Sequence, residues 1–563
     1  MSTETAVSSS NIVLNQDNKV KRSASSNSMT RPGRPTEDLQ VTDSLSGGPS
    51  HGANAAEDET KYPTGIRFWL IIFCNALVLV FMGLDTSIVS TAVPHITDDF
   101  HTVADVGWYS SALRLCSSSF AFMFGKTYTL FPLRPVFLSS LAIFMCGSLL
   151  SATAPSSMVF VVSRAICGFG QAGVIQGCFY MLTHLVPLRK RPRIAGALGG
   201  IEAVASIAAP SLGGIIVGNL SWRWCFWINL PIGALSFAII AFALKLDQDL
   251  PALSFWQKIV ELDLVGNALF VPSLTCLFLA FSWAGTAFPW NSAKVISLFM
   301  VFAVLLAGFA YLQYRRGDKA TLPARIVTNR SVLAGALFAA CTNSVVNVFE
   351  YYLPTYFQTI REYTPAESGY LMLPCLLGYL IATVSHGAAV TSIGYYVPLM
   401  LFASTTMPIF AGLMTTFTTS TTAVKVAGYS AAMGFAGGIG FQGPQSAVQT
   451  VLSEKDASLG LSVIIFAQNI GPAVSIAAAQ TIFLSRLGEN LRVLVPDLDS
   501  RSVDSLGLSD IKTLVGEANL EMALGVFDTS LMQTWYLAVG LACLTMLGSL
   551  TMEWRSVKDK KKN

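Results

Sequence analysis

The chain is a succession of long apolar runs, each close to bilayer-crossing length and nearly free of charge. They fall at about 67–94, 106–125, 135–153, 157–183, 194–217 and 224–244, then 264–284 and 295–314. Six more follow near 331–356, 367–388, 396–417, 424–447, 460–483 and 532–552. A helix needs about 20 apolar residues to cross the hydrocarbon core. A chain of 563 residues would otherwise suggest several soluble domains, but 52% of this one is hydrophobic and only 12% charged. What charge there is crowds into residues 1–62, the loops and the C-terminus. The pattern predicts an all-α integral membrane protein of about fourteen transmembrane helices.

Loop charge sets the expected orientation. One set of short loops carries Lys126, Arg134, Arg189, Lys190, Arg191, Arg193, Lys245, Lys258, Arg315, Arg316, Lys319, Arg325, Arg330 and Lys455. The opposite set carries only Arg223, Lys294, Arg361 and Lys425. The positive-inside rule assigns the first set, and both tails, to the cytoplasm. Residues 1–62 are rich in Ser, Thr, Asn, Asp and Glu and lack an apolar h-region. They read as a disordered cytoplasmic tail rather than a signal peptide. Gly125-Lys126-Thr127-Tyr128-Thr129 after the second run is echoed by Gly387-Ala388-Ala389-Val390-Thr391 after the tenth. This short repeat predicts two six-helix halves, 63–247 and 330–554, with two inserted helices and linkers over 248–329. An outer loop is expected at 484–531, with an amphipathic helix near 511–526, and a basic tail at 555–563.

Several functions are excluded by what is present. Ten cysteines sit in or beside apolar runs without a CxxC pair, and there are five histidines, so buried free thiols are expected and no metal site. No basic groove interleaved with aromatics suggests nucleic acid. No GxxxxGK[ST] loop suggests ATP.

An intramembrane charge costs ~2.5 kcal/mol or more, so each needs a reason. Five stand out: Asp85, Arg114, Arg164, Glu202 and Glu350. Asn343, Asn347, Glu350 and Pro354 fall on one helix face at i, i+4, i+7 and i+11. Gln442, Gln445 and Gln449 form a second stripe, and Gln468 and Asn469 follow. Such stripes either line a water-filled cavity or hydrogen-bond between helices. The cavity reading assigns Arg114, Asn343, Asn347, Gln442, Gln468 and Asn469 to its wall. Arg114 is flanked by Ser110, Ser111, Ser117 and Ser118. It and Asp85 both lie about 12 Å below the outer surface at 1.5 Å per residue. The expectation is that they pair, or that Arg114 faces the cavity beside Asp85.

Residues 196–214 carry a second signal. Gly196, Gly200, Ala203, Pro210 and Gly214 share one face of a helical wheel, and Ala195, Gly199, Glu202, Ser206, Ala209 and Gly213 the next. A face so smooth allows another backbone to come close. The Gly196, Ala205, Ala209, Pro210, Gly213, Gly214 spacing resembles the antiporter motif of the major facilitator superfamily, with Ala205 and Ala209 in place of two glycines. Trp222-Arg223-Trp224 followed by Asn229-Leu230-Pro231-Ile232-Gly233 is similar to a signature of the superfamily's fourteen-span drug:proton antiporters. Asp85-Thr86-Ser87-Ile88-Val89 through Ala92-Val93-Pro94 resembles their first span, and Arg164 with Gly168 and Gly170 their fourth. Tyr352-Leu353-Pro354-Thr355-Tyr356-Phe357-Gln358 resembles their second-half opening. Two departures stand beside these: Thr129 replaces an acid of the gate motif, and Arg114 replaces an apolar residue.

The resemblance covers about 65–555 and is closest to fungal exporters of toxins and secondary metabolites. It implies proton-coupled efflux of small amphipathic molecules by alternating access, with no catalytic residue, cofactor or metal. Proton coupling would fall to Asp85, Arg164, Glu350 and Glu202. Antiporter-motif packing would fall to Gly196, Pro210, Gly213 and Gly214, and the cytoplasmic gate to Gly125, Lys126 and Arg134. Partners would be a small-molecule substrate and the lipid bilayer, most simply the plasma membrane, with a vacuolar or vesicle membrane as the alternative. A siderophore-type proton symporter and a non-transporting membrane sensor are the competing readings. One proton crossing 100 mV and one pH unit gives about 3.7 kcal/mol, roughly a 500-fold gradient of a neutral molecule.

Overall fold

The computed structural model describes residues 65–101, 105–245, 248, 250–284, 288–418, 420–494 and 520–558. The expected tail at 1–62 lies outside the described residues, as does the end of the basic tail.

A backbone in hydrocarbon can bond only to itself, so the apolar runs become helices. In chain order these are α1 (Ile66–Phe100), α2 (Val106–Leu130), α3 (Leu133–Ala152), α4 (Ser157–Leu185) and α5 (Arg191–Asn219). A single turn, Trp224–Trp227, precedes α6 (Asn229–Ala243), α7 (Leu264–Trp283) and α8 (Ala293–Arg316). Then come α9 (Arg330–Thr355), α10 (Pro365–Ile393), α11 (Val397–Met414), α12 (Ala423–Phe441), α13 (Gly443–Val451), α14 (Glu454–Leu494) and α15 (Leu520–Leu550). Local chemistry sets their ends. Thr364 and Glu367 make a capping box at the start of α10, and Gly394, at φ 93°, closes it in the left-handed conformation that glycine adopts freely.

Among the described residues, eleven helices are long and apolar enough to cross a membrane. Helices α2, α5 and α12 are long too, but less apolar. Helix α2 carries Arg114, Lys126 and several serines, α5 carries Arg191, Arg193 and Glu202, and α12 is rich in glycine and alanine. The expected outer loop at 484–531 is shorter than the sequence suggested. Helix α14 continues to Leu494 and α15 begins at Leu520. The polar residues there do not end the helix, because Arg486 and Glu489 pair at 2.9 Å on its exposed surface. Most of the amphipathic helix expected near 511–526 lies outside the described residues, and its last part is the start of α15.

Lipid tails are as apolar as leucine, so close packing rather than escape from water holds such helices together. One cluster joins α1 to α6 around Phe81, Phe137, Phe144 and Met181. Another joins α9, α11, α12, α14 and α15 around Phe349, Tyr356, Phe417 and Trp535. Helices α7 and α8 reach both α2 and α14 through Phe270, which lies against Phe122, Phe309 and Phe466. The tightest seams need glycine. A Cβ at Gly434 of α12 would run into the carbonyl oxygen of Cys375 on α10, and one at Gly168 of α4 into that of Leu113 on α2.

Helix α5 divides its small-residue faces between partners. Near its start, Gly196 lies against the Thr383 carbonyl and Gly387 of α10, and Gly200 against Val384 and Leu380. Further along, Gly213 lies against Ile88 and Thr91 of α1. Gly214 has open space where a Cβ would be, so it does not belong to the packing face expected for it. The wheel assumed one neighbour along the whole face, whereas the close α10 contacts lie at Gly196 and Gly200, and Gly214 on α5 and Gly369 near the start of α10 both face open space. The helix runs unbroken through Pro210. Gly213→Leu should therefore lower stability by about 1–3 kcal/mol and abolish transport, while Gly214→Leu should leave both close to wild type. Thermal unfolding of the two purified variants checks this directly.

Candidate functional site

Asp85, Arg164 and Asn229 come from three helices and meet in one sealed cluster. Helix α1 carries Asp85 toward α4 and α6. The Arg164 guanidinium donates to both Asp85 carboxylate oxygens at 2.9 and 3.1 Å, and each side chain is 1% exposed. Arg164 also donates to the Tyr109 carbonyl at 3.1 Å and lies over the Phe226 ring at 5.5 Å. The Asn229 amide donates to Asp85 at 2.9 Å and to the Ser148 hydroxyl at 3.2 Å. Each charge is thus paired and hydrogen-bonded, the condition under which buried charges are tolerated. The partner of Asp85 is Arg164, not Arg114. Depth allowed either, but the Asp85 carboxylate is turned toward Arg164 on α4 and Asn229 on α6, and α6 packs against α1 more closely than α2 does.

A cavity of about 210 Å³ lies beside this cluster. All six residues expected on its wall are there: Arg114, Asn343, Asn347, Gln442, Gln468 and Asn469. Gln171, Gln445, Ser117, Thr86 and Glu202 join them, and Phe179, Ile175 and Phe441 supply apolar surface. The Asn343 and Asn347 amides donate to backbone carbonyls one turn back on α9, which fixes their orientation. Glu350, on the same stripe, is exposed and close enough to Arg114 to interact electrostatically. The four residues expected to couple protons are therefore divided. Asp85 and Arg164 are sealed away, while Glu202 and Glu350 face open space.

The cavity floor lies toward the end that carries Lys126, Arg134, Arg191 and Arg193. There the Gln442 amide donates to the Ala195 carbonyl at 3.2 Å. Beyond it is a hollow of about 10 Å³ that shares Ala195, Gln442 and Gln445 with the cavity and adds Gln449. The expected gate residues lie at this basic end but do not converge. The Gly125 carbonyl accepts from Ser458 of α14 at 2.9 Å. Lys126 donates to the carbonyls of Lys319 and Ala320, in the linker after α8. Arg134 donates to the Ala241 carbonyl at the end of α6. The linker is itself fastened to α14 by Arg325 and Asp456 at 2.6 Å. It is also fastened to α7 through Thr321, which donates to the buried Asp263 at 3.2 Å.

At the opposite end the tryptophan-rich signature has a physical role. Arg223 donates to Asp99 at 2.7 Å and to the Ala154 carbonyl at 3.2 Å. Trp222 donates to the same carboxylate at 3.2 Å, and Arg223 stacks over the Trp222 ring. The Arg223 hydrogen bond, reinforced by that of Trp222, holds the Asp99 carboxyl below the usual carboxylate range. Because the folded value is depressed, the stabilisation is complete above the unfolded value of about 3.9 and is lost as pH falls through the folded one. Asp99→Asn should lower stability by no more than about 1 kcal/mol, the pair being partly exposed. The gap from wild type should hold from pH 7 to pH 5 and close in stronger acid. Unfolding measured across that series checks it.

Sequence reasoning found the cavity wall and the charges but missed Asn229 and Ser148 as supports of Asp85. The signal for Asn229 was an amide inside an apolar signature. Ser148 had none, since serines are common in these helices.

A bundle of apolar helices around a polar cavity floored at one end has the architecture of a membrane transporter, and the comparisons agree. The Major Facilitator Superfamily model matches residues 76–476. The chain is 38% identical over 527 residues to the MFS-type efflux pump MFS1 of Arthroderma benhamiae, covering 93% of this chain and 98% of that one. It is 39% identical to the aspyridones efflux protein of Neocamarosporium betae, covering 92% of each. It is 36% identical to the efflux pump aflT of Aspergillus parasiticus, covering 90% and 99%. Among solved structures, the human organic anion transporter MFSD10 (TETRAN) shares the fold at a TM-score of 0.54 and 14% identity, over 85% of this chain and 100% of that one. A double tryptophan mutant of XylE does so at 0.56 and 13%, over 87% and 96%. The chain belongs to the Major Facilitator Superfamily, a family of transporters rather than enzymes.

Proposed function

We propose that this protein exports small amphipathic molecules, of the kind fungi make as toxins and secondary metabolites, by proton-coupled alternating access. The observation that carries the reading is the α5–α10 seam. The antiporter-like helix closes the cavity at the basic end through Gly196, Gly200 and Gly387, and parts from α10 above it. A cavity shut at one end by a removable backbone contact is what alternating access requires. With the basic end in the cytoplasm, this is the outward-facing form. The names of the fungal relatives support the direction of transport. We read α2, α5 and α12 as membrane-crossing despite their polar residues, which with the eleven apolar helices gives fourteen spans. The two apolar clusters support two six-helix halves with α7 and α8 between them, and the plasma membrane is the natural site.

Coupling follows from the sealed cluster. A proton on Asp85 cancels the charge that holds Arg164 and frees α1 to shift against α4. Opening to the cytoplasm then lets the proton leave and the pair re-form.

The test has two arms. Metabolites in medium and cells are compared between strains with and without the gene, and the reading predicts a compound retained when the gene is absent. That compound is then followed in proteoliposomes under an imposed pH gradient. Transport unaffected when a protonophore collapses the gradient would remove the proton from the mechanism, and no retained compound would remove export.

A further inference from the structure

Arg114 is the one cationic side chain on the cavity wall among the described residues. It is exposed there, and no described residue makes a hydrogen bond or ion pair with its guanidinium. The same wall carries neutral hydrogen-bonding groups, Ser117, Gln171 and Asn343, and apolar surface from Phe179, Ile175 and Phe441. Two acids lie near it: Glu202 on the same wall, on α5, and the exposed Glu350 on the Asn343–Asn347 stripe of α9, which feels Arg114 without reaching ion-pair distance. The charges are not equivalent. A carboxyl can shed its charge by taking a proton, whereas a guanidinium keeps its own at any working pH. While the cavity holds water an unpaired guanidinium is tolerable. Once the cavity closes around cargo and water leaves, it needs a counter-charge.

We propose that the cargo supplies it. Building on the export reading, the substrate is an amphipathic organic acid bound as its anion. Its carboxylate sits on the Arg114 guanidinium and its apolar body lies against Phe179, Ile175 and Phe441. Glu350 is the resident counter-ion that the cargo displaces and that reclaims Arg114 when the cargo leaves. An anion leaving a cell with a negative interior also moves with the field, which supports roughly a 50-fold gradient per 100 mV.

The purified full chain in detergent is titrated with 1-naphthoate, anthracene-9-carboxylate and 1-pyrenebutyrate, each beside its methyl ester, which keeps the shape and removes the charge. At least one acid should bind roughly tenfold or more tighter than its ester, the size of a charge-assisted contact. Arg114→Gln should erase that difference. Glu350→Gln should act in the opposite direction, tightening the acid roughly threefold or more and leaving the ester unchanged. A purely structural role would weaken binding in both variants. Acids and esters binding alike, no binding of any acid to the wild type, or acid preference surviving Arg114→Gln would each overturn the proposal. Acid binding without directional transport in proteoliposomes would leave the anion site standing and remove the export reading instead.

Discussion

Replacing Asp85 by leucine should remove almost all folded protein from the membrane. The substitution strands the Arg164 guanidinium, 1% exposed, with no counter-charge and no means of losing its own. Breaking a buried pair from one side typically costs about 3–5 kcal/mol, a large part of the stability of most domains. Removing both charges, as Asp85→Leu with Arg164→Leu, should restore folded protein toward wild-type amounts, because the lone charge is the expensive state. Asp85→Asn should fall between. Its amide oxygen still accepts from Arg164, so the protein folds, but it cannot carry a proton, and substrate-driven proton movement in vesicles should be lost. Expression measured by size-exclusion profile, with thermal unfolding of wild type, Asp85→Leu, Arg164→Leu and the double variant, makes a double-mutant cycle. Additive effects within about 0.5 kcal/mol would mean that the pair is energetically idle.

Gly387→Leu should have the largest effect on conformation. A Cβ at this position already runs into the carbonyl oxygen of Pro192 on α5, so the seam at the basic end cannot close over a leucine. A clash of about 1–3 kcal/mol against one state shifts the balance roughly 5- to 150-fold toward the other. The variant should be inactive yet folded, and open at the basic end. Ser446, on the small hollow beneath the cavity floor, reports on this. A cysteine placed there should react quickly with a water-soluble alkylating reagent applied from the basic side in the variant, and slowly in the wild-type background. Equal rates would place the seam elsewhere.

Much of this was legible in the sequence because the bilayer is a severe solvent. Apolar runs had to become helices, and each polar residue inside them had to have a use. That is why Arg114, Asn343, Asn347, Gln442, Gln468 and Asn469, scattered over three hundred residues, proved to share one cavity. What sequence could not supply was rotation. Asp85 lies at the same depth as Arg114, and depth follows from counting residues. Whether its side chain turns toward α2 or toward α4 and α6 depends on how α1 is rotated within the bundle, and that is a property of the whole bundle. The same limit misled the reading of Gly214. A helical wheel places it with Gly196, but the neighbouring helix leaves before reaching it. Asn229 went unassigned for a related reason. Its motif was visible, but its partner is a carboxylate 144 residues away.

The way α5 divides its contacts has a mechanical consequence. Its start is pinned against α10 at Gly196, while its far part is fixed to α1 at Gly213. The 17 residue steps from one to the other span about 26 Å of helix. A lever of that length converts a tilt of about 10° at the pinned end into a displacement of roughly 4–5 Å at the other, comparable to one helical turn. Glycine makes a good fulcrum, since without a side chain one backbone can roll on another with no interlocking knob to lift out. On this geometry the small residues of α5 do more than let helices come close. As long as that seam stays shut they set a low-friction pivot at the floor, and the length of the helix amplifies a small motion there into one large enough to pinch the far mouth of the cavity.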